Sequence, residues 1–315
     1  MKTDTVLIID KPEGLTSHDV VSRVRKILKT RRVGHSGTLD PFATGVLVVC
    51  VNRATRLVQF LTGENKEYLA TMRLGVATDT GDLTGTPISE TTDAGSITAE
   101  SIREALTHFR GRINQIPPMY SAKKIRGVKL YELARKGMEI EREPIQVEIS
   151  ELELCDSPHQ PPVEPDRMTR DFNFRVVCSS GTYIRTLAED IGKHLGIGAH
   201  LSALRRTRSG RCHIDQAMTL EELGEIVAGG ESEPNGISMS EALDMEEIII
   251  SDFERGLISN GRSISRTGSW QQSARAKLCD EHHKLLAIAR FNAESSIWKP
   301  DVVLESAGQD AGQDD

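Results

Sequence analysis

Long apolar runs are missing from this sequence of 315 residues. No uninterrupted hydrophobic stretch approaches the roughly 20 residues of a membrane-spanning helix. The first residues, Met1-Lys2-Thr3-Asp4, run into a short strand-like segment and do not resemble the core of a signal peptide. We therefore expect a folded cytoplasmic protein without a membrane anchor, whose 38% hydrophobic residues suffice for a substantial core.

Cysteine and histidine patterns exclude the common disulfide and metal sites. The five cysteines are scattered, odd in number and contain no Cys-x-x-Cys pair, which fits neither a disulfide framework nor a thiolate zinc site. The nine histidines lack metal-ligand spacing, and His282-His283 is typical of an exposed polar turn. We predict no metal centre and reduced cysteines that serve mainly in packing.

The familiar catalytic motifs are also missing. The chain has no Gly-Lys-Ser/Thr phosphate loop, no Gly-x-Ser-x-Gly elbow, no His-Glu-x-x-His and no Gly-x-Gly-x-x-Gly after its first strand. We therefore predict that any activity of this protein uses no cofactor.

The net charge of −7 conceals a basic region. Residues 215–254 carry twelve acids and no Lys or Arg, and residues 305–315 carry four acids. Without those sixteen acidic residues, the rest of the chain has a formal charge of +9. Solvated surface charge alone could explain this distribution, but a polyanion-binding surface needs such a basic region.

The most informative stretch of the sequence is a predicted loop, 34–45, which reads Gly-His-Ser-Gly-Thr-Leu-Asp-Pro-Phe-Ala-Thr-Gly. Its glycines permit tight or positive-φ turns, and Pro41 biases Asp40 away from helical backbone. An apolar run over 46–51 follows at once and predicts a buried strand. A single carboxylate is thereby held between turns beside that strand.

Periodicity predicts helices and strands on both sides of this loop. Thr16 or Ser17 is expected to cap a first helix, and Thr182 to cap a later one. The acids in 79–82 are interpreted as turn residues, and 155–171 as a surface excursion. The first helix and the turn after it carry six cations: Arg23, Arg25, Lys26, Lys29, Arg31 and Arg32.

Four other side chains are candidate partners of Asp40, namely Tyr68, Tyr183, Arg185 and His35. Each has an ordinary structural explanation by itself, as a core-edge tyrosine, a surface cation or a loop histidine. The residues alone therefore support only a cofactor-independent site with one carboxylate, an arginine as its candidate partner, and a basic surface beside it.

The same stretches resemble the TruB family of pseudouridine synthases. Loop 34–45 matches the family's catalytic motif, Gly-His-Ser-Gly-Thr-Leu-Asp-Pro-x-Ala-Thr-Gly. Further matches occur in order across residues 5–212: Asp10-Lys11-Pro12-x-Gly-x-Thr-Ser, Lys66-x-Tyr68, Pro117-Pro118-Met119-Tyr120-Ser121-Ala122, Gly181-Thr182-Tyr183-Ile184-Arg185-Thr186, Gly198-Ala199-His200-Leu201 and Leu204-Arg205-Arg206.

The resemblance implies the pseudouridine synthase fold, an α+β arrangement with a mixed, mostly antiparallel central sheet flanked by helices. It also implies base flipping and isomerisation of a uridine in the T arm of tRNA, position 55, without a cofactor. The expected organisation is a catalytic domain over 1–235, a small PUA-like β domain over 246–304 that touches the acceptor stem, and a disordered acidic tail over 305–315.

The catalytic roles follow from the same resemblance. Asp40 is expected to act as nucleophile or base at the target ribose. Arg185 is expected to pair with Asp40 and keep it ionised, and Tyr68 to stack on the flipped uracil.

The binding roles also come from the resemblance. Tyr183 and Leu204 are expected to form the pocket wall, and His35 to fill the gap that the flipped base leaves. Lys11, together with the six cations, is expected to contact phosphates, and Arg205 is expected to bind RNA.

Two alternatives remain open. One is a dyskerin-like synthase that takes its target from a guide RNA, and the other is an RNA-binding tRNA-folding chaperone with secondary catalysis. The Lys66-x-Tyr68 match, the 118–121 match and the absence of long basic tails favour a stand-alone enzyme. We therefore expect a monomer that needs tRNA and no protein partner.

Overall fold

Sixteen strands and seven α-helices occur in the part of the chain that the computed structural model describes, residues 4–88, 93–121, 123–125, 127–134, 136–156, 168–230, 236–266, 268, 270–272 and 274–305. The strands are β1 (Thr5–Lys11), β2 (Val33–Ser36), β3 (Thr44–Val51), β4 (Lys66–Leu74), β5 (Gly111–Gln115), β6 (Lys124–Ile125), β7 (Val128–Lys129), β8 (Ile145–Leu154), β9 (Arg170–Cys178), β10 (Ala199–Ser209), β11 (Cys212–His213), β12 (Glu246–Ile249), β13 (Ile264–Ser265), β14 (Arg275–Cys279), β15 (Leu285–Asn292) and β16 (Ile297–Val303). The helices are α1 (Ser17–Ile27), α2 (Val58–Leu61), α3 (Ala99–Thr107), α4 (Leu130–Ala134), α5 (Ile184–His194), α6 (Leu220–Ala228) and α7 (Asp252–Ser259). No helix in these ranges has both the length and the apolar character needed to cross a membrane.

Nine of these strands form one large sheet. Across it the order is β1-β3-β10-β4-β9-β8-β5, with β2 beside β3 and β11 beside β10. The neighbouring strands run antiparallel except for β3 and β10, whose parallel pairing sets Thr44 and Gly45 opposite Arg205 and Arg206. The predicted mixed, mostly antiparallel sheet is confirmed, and its parallel junction lies just after the loop that carries Asp40.

Helix α1 covers β1 and β3 together with α6. It begins at a capping box, in which Thr16 Oγ1 accepts from Asp19 N at 3.1 Å and Thr16 N donates to Asp19 Oδ2 at 2.9 Å. Val20, Val21 and Val24 recur at helical spacing and are buried against the sheet. Of the two predicted caps, Thr16 is therefore the one used.

Helices α3 and α5 pack on a second core, formed by β4, β8, β9 and β10. The predicted cap of α5 is wrong, because Tyr183 occupies the cap position and Thr182 lies one residue too early. The Thr182 hydroxyl instead donates to Ser179 O at 2.9 Å within the preceding turn. The helix ends before Gly196, whose φ of +71° suits glycine.

The last five strands form a separate sheet in the order β12-β14-β15-β16-β13, around a core that contains the fully buried Trp298. On its other side, Cys279 and Leu285 pack with Val46 of β3 in one shared apolar cluster. The small C-terminal β domain expected from the sequence is thus present and lies against the large sheet.

Glu305, the first residue of the predicted tail, is held against the C-terminal sheet. Glu305 is 9% exposed, and its carboxylate lies 2.8 Å from Arg255 and 3.1 Å from Lys284. These two cations compensate the charge that its burial would otherwise leave unpaired. Residues 306–315 lie outside the described residues, as do residues 157–167 of the predicted 155–171 excursion.

Candidate active site

Asp40 lines a cavity of about 530 Å³ that lies between loop 37–40, β4, β10 and the start of α5. Tyr68 enters it from β4, Leu204 from β10, and Tyr183 and Arg185 from the start of α5. The fold therefore brings five of the eight predicted site residues around one space. The other three, Lys11, His35 and Arg205, are absent from its described lining.

The loop that carries Asp40 is fixed on both sides. Ser17 Oγ accepts from Leu39 N at 2.9 Å and donates to Leu39 O at 3.2 Å. Gly45 has a φ of +96°, and a Cβ there would lie 2.2 Å from Arg206 O. Only glycine allows this approach of β3 to β10, so the motif's last glycine sets the distance between the Asp40 loop and the sheet.

Arg185 makes the predicted ion pair with Asp40 and is 5% exposed. Its Nε lies 3.0 Å from Asp40 Oδ2, and its Nη2 lies 3.3 Å from Asp40 Oδ1. Nη1 donates to Thr80 O at 2.9 Å and lies 3.4 Å from Asp82 Oδ2, while Nη2 also donates to Tyr120 O at 2.6 Å. With acceptors on all sides, the planar guanidinium holds the Asp40 carboxylate in one orientation.

Opposing electrostatic influences act on the Asp40 carboxyl. Burial raises its pKa, and the nearby Asp82 carboxylate raises the pKa further. The Arg185 guanidinium and the Lys11 ammonium lower the pKa, but burial outweighs them. Arg185 therefore limits the rise rather than bringing the pKa below the ordinary range, and a carboxylate with a raised pKa is a stronger base than an ordinary one.

Asp82 is a site residue that the sequence interpretation missed. Its Oδ1 accepts from Thr84 N and from Thr80 Oγ1, both at 2.9 Å, as the turn interpretation requires. Its Oδ2 faces Arg185, however, and the residue is 4% exposed. The turn interpretation is therefore incomplete. The Asp-Thr-Gly-Asp pattern does not indicate a site residue, because ordinary turns use the same residue types.

Two tyrosines and a leucine form walls of the cavity. Tyr68 is 8% exposed and lies opposite Arg206 in the pairing of β4 with β10. Burial raises the pKa of the Tyr68 phenol and of the Tyr183 phenol, so both hydroxyls are neutral at physiological pH. The two rings offer flat surfaces against which a planar base can stack, and Leu204 adds an apolar wall. Tyr68 is poorly suited to act unaided as a base.

Arg206 is the second arginine of the Leu-Arg-Arg match, and it reaches the cavity. Its Nε donates to Val46 O at 2.7 Å and its Nη2 donates to Gly37 O at 2.9 Å, so it ties β10 to the chain on both sides of Asp40. Arg205 instead pairs with Asp10 through two bonds of 2.7 and 3.0 Å. The RNA contact predicted for Arg205 stays a prediction.

The phosphate contact predicted for Lys11 is wrong, because this side chain is fully buried. Its Nζ donates to three backbone carbonyls, those of Leu15 at 2.6 Å, Pro12 at 2.8 Å and Pro41 at 3.1 Å. Burial lowers the pKa of Lys11 to about 8. Lys11 therefore joins the turn after β1 to the residue that follows Asp40.

Replacing Lys11 by Met should destabilise the protein. Methionine fills a similar volume but donates no hydrogen bond, so the three carbonyls lose this donor, at a cost of about 1–3 kcal/mol in the free energy of unfolding. Urea unfolding followed by circular dichroism measures this loss. The matched variant Lys26→Met, at an exposed position of α1, should leave unfolding unchanged and lower the salt dependence of RNA binding by about one counterion. The reverse pattern would restore Lys11 as a phosphate contact.

His35 lies on β2, opposite Val49 of β3. Burial lowers the pKa of its half-buried imidazole, so the ring is neutral at physiological pH. Its Nδ1 has no hydrogen-bond partner among the described residues. The role predicted for His35, filling the gap left by a flipped base, stays a prediction.

No group of three His, Cys, Asp or Glu side chains able to hold a metal ion occurs in the described ranges. All five cysteines are free, and burial raises the pKa of the Cys50 and Cys212 thiols to about 12. Such thiols are chemically inert at physiological pH.

Comparison with known proteins identifies the class to which this fold and cavity belong. Residues 25–184 match the family model of the TruB family pseudouridylate synthase N-terminal domain, and residues 185–245 match that of the tRNA pseudouridylate synthase B C-terminal domain. The fold is that of a pseudouridylate synthase. The chain belongs to the TruB family, which confirms the resemblance inferred from the motifs.

Relatives and solved structures resemble the chain over nearly its whole length. The chain is 45% identical to tRNA pseudouridine synthase B of Solibacter usitatus over 305 residues, which are 96% of this chain and 100% of the relative. It is 45% identical to the protein of the same name from Geobacillus thermodenitrificans over 300 residues, 94% and 98% of the two chains. A chain in the crystal structure of a Cbf5-Nop10-Gar1 complex superposes with a TM-score of 0.73 at 27% identity, covering 96% of this chain and 85% of that one.

Proposed function

We propose that the protein converts uridine to pseudouridine at position 55, in the T arm of tRNA. The observation that carries this proposal is the Asp40 carboxylate, held by Arg185 in a cavity walled by Tyr68, Tyr183 and Leu204. The cavity lies within the size range of small-ligand sites and can admit one nucleotide. The relatives named tRNA pseudouridine synthase B support tRNA as the substrate.

The reaction begins when the target uridine leaves its stack, at a cost of a few kcal/mol, and enters the cavity. Asp40 then either attacks C1′ of the ribose or removes the 2′ proton, and in both cases the N1–C1′ bond breaks. The detached uracil turns over and C5 bonds to C1′, which releases the Asp40 carboxylate from C1′ or, in the other route, is accompanied by return of the proton to C2′; the proton on C5 is lost and N1 takes one up. Product and substrate contain the same atoms, so the isomerisation needs no external group.

The surrounding residues favour these steps by position and charge. Arg185 compensates the Asp40 charge and orients the carboxylate at the sugar. The Tyr68 ring stacks on the uracil, and Tyr183 and Leu204 limit the space in which the detached base turns. A detached base held in this way re-forms a bond to the same sugar before it escapes.

The RNA backbone is expected to lie along α1. Five of the six predicted cations there are exposed: Arg23, Lys26, Lys29, Arg31 and Arg32. Arg25 is half-buried, and its Nη2 donates to Val33 O at 2.8 Å, so it serves the fold. This basic face leads through β2 into the Asp40 loop, where it can attract phosphates close to the cavity. With the RNA backbone along α1, we expect the C-terminal sheet to contact the acceptor stem of the tRNA.

We expect the enzyme to act as a monomer in the cytoplasm with tRNA as its only required partner. The relatives at 45% identity span nearly the whole chain, whereas the solved neighbours in protein assemblies are 26–27% identical. One of those neighbours comes from the structure of an H/ACA RNP bound to a substrate RNA, but at 27% identity it does not favour the guide-dependent alternative over a stand-alone enzyme.

The purified protein should convert one uridine in an unmodified tRNA transcript without added metal, cofactor or guide RNA. Carbodiimide labelling followed by primer extension locates the product, and a transcript with cytidine at position 55 is the matched control. Conversion that appears only with a guide RNA and protein partners would favour the guide-dependent alternative. Binding and refolding of the transcript without any conversion would favour the chaperone.

A further inference from the structure

Gln115 ends β5, the edge strand of the large sheet, and is fully buried. It precedes the Pro117-Pro118 pair, whose rings stiffen the chain that leads to Tyr120. A buried primary amide is costly unless its donor and acceptor are both bonded. The partners of the Gln115 amide therefore indicate why a polar side chain occupies this position.

Both partners of the Gln115 amide belong to the backbone of Tyr183. Gln115 Oε1 accepts from Tyr183 N at 3.0 Å, and Gln115 Nε2 donates to Tyr183 O at 3.3 Å. The amide thus pairs with residue 183 as a neighbouring strand would, although 68 positions separate the two residues. This pairing fixes the backbone of Tyr183 in two directions.

This pairing holds the cap residue of α5. Tyr183 is the cap residue, but its side chain makes no capping bond, and the Thr182 hydroxyl is used by Ser179 O. Tyr183 O also accepts from Leu187 N at 3.0 Å, and Tyr183 N donates to the Gln115 side chain. Gln115 therefore provides from a distant strand the contact to the cap residue's N–H that a Glu or Gln at the third helical position makes in a capping box.

A second contact joins the same segment to Arg185. Tyr120 O accepts from Arg185 Nη2 at 2.6 Å, on the guanidinium that holds Asp40. Residues 115 and 120 thus contact residues 183 and 185 at two points, with the rigid proline pair between them. A shift of the Tyr183 backbone would move the side chain of Tyr183 and the guanidinium of Arg185 together.

We propose that Gln115 is a positioning residue for the isomerisation: its side-chain amide fixes the Tyr183 backbone and thereby sets the Tyr183 ring and the Arg185–Asp40 pair in the cavity. This inference rests on the proposed function. Gln115 is not a catalytic residue, because it is absent from the cavity lining and acts through Tyr183.

The variant Gln115→Met tests this role, because methionine has nearly the length of glutamine but neither bonds Tyr183 N nor donates to Tyr183 O. The single-turnover rate constant at saturating enzyme should fall about 10- to 100-fold, since displacement of reacting groups by about 1 Å has effects of that size. The dissociation constant for tRNA should stay within about twofold of the wild-type value, because the exposed cations of α1 are untouched. The amide of Tyr183 should exchange its hydrogen at least about tenfold faster.

Matched variants separate this role from a general loss of structure. Gln146 lies at an exposed position of β8, the strand paired with β5. The variant Gln146→Met should convert uridine at the wild-type rate. Gln115→Glu keeps the acceptor for Tyr183 N and removes the amide donor, so it provides a second test if Gln115→Met folds poorly, and its rate should also fall without weaker tRNA binding.

The outcomes are distinct. Wild-type rates in both folded Gln115 variants would overturn the positioning role and leave the proposed function intact. A loss confined to thermal stability or to tRNA affinity, with an unchanged single-turnover rate, would also overturn it. If the wild-type protein itself converts no uridine, the proposed function fails, and the positioning role in that reaction fails with it.

Discussion

Replacing Asp40 by Asn should abolish pseudouridine formation while tRNA binding persists. The amide occupies the space of the carboxylate but neither ionises nor attacks a sugar carbon, so the single-turnover rate should fall by about 10³-fold or more. Binding should remain within about threefold, because phosphate contacts made away from the cavity dominate the affinity of proteins for nucleic acids. Rapid-quench turnover and filter binding on the same transcript measure the two quantities separately.

The pH dependence of the wild-type enzyme provides an independent check on Asp40. The ionised form reacts, and burial raises the pKa of this carboxyl, so the rate should fall as the pH is lowered through a range above that of an ordinary aspartate. Asp79→Asn is a matched control, since Asp79 is an exposed turn residue that accepts from Thr86 N at 2.8 Å, and it should retain the wild-type rate and profile. Substantial turnover by the Asp40→Asn variant would remove Asp40 from the chemistry.

Local patterns predict the regular elements well where one face of the element is buried. The apolar run over 46–51 predicted a buried strand, which is confirmed by β3 (Thr44–Val51), because every side chain in that run contributes to the same signal. The start of α5 could not be predicted in this way. Thr182 is a good cap by residue type, but the contact that fixes Tyr183 comes from Gln115, and only the tertiary fold brings these residues together.

The site residues divide in the same way into those that the sequence motifs identify and those that only tertiary contacts reveal. The motif resemblance identified Asp40 and Arg185, and the structure places them 3.0 Å apart. Lys11 was misinterpreted because the resemblance gives no information on burial and lysines usually face solvent, whereas three carbonyls surround this one. Asp82 was missed because one of its oxygens makes ordinary turn contacts, and no pattern along the chain reveals that the other faces Arg185.

Replacing Arg185 by Lys should lower the single-turnover rate by about 10²–10³-fold, although the positive charge is kept. The ammonium has three donors on one nitrogen and cannot reach Asp40, Asp82, Thr80 O and Tyr120 O together, as the planar guanidinium does. Loss of an orienting group of this kind, which acts on developing charge in a cavity, has effects of about 10²–10³-fold. Rapid-quench assays at saturating enzyme measure the loss apart from any change in tRNA binding.

The pH profile of the same variant distinguishes lost orientation from a general structural defect. Burial and the Asp82 carboxylate raise the pKa of Asp40, and the Arg185 guanidinium lowers it. A weaker ion pair with lysine therefore lets the pKa of Asp40 rise further, so the loss of rate in acid should begin at a higher pH than in the wild type. Arg175→Lys is the matched control, because Arg175 contacts Glu67, Glu151 and Glu153 away from the cavity lining. That variant should lose some stability and keep both rate and profile. An Arg185→Lys enzyme with a reduced rate but an unshifted profile would show that the guanidinium does not set the ionisation of Asp40.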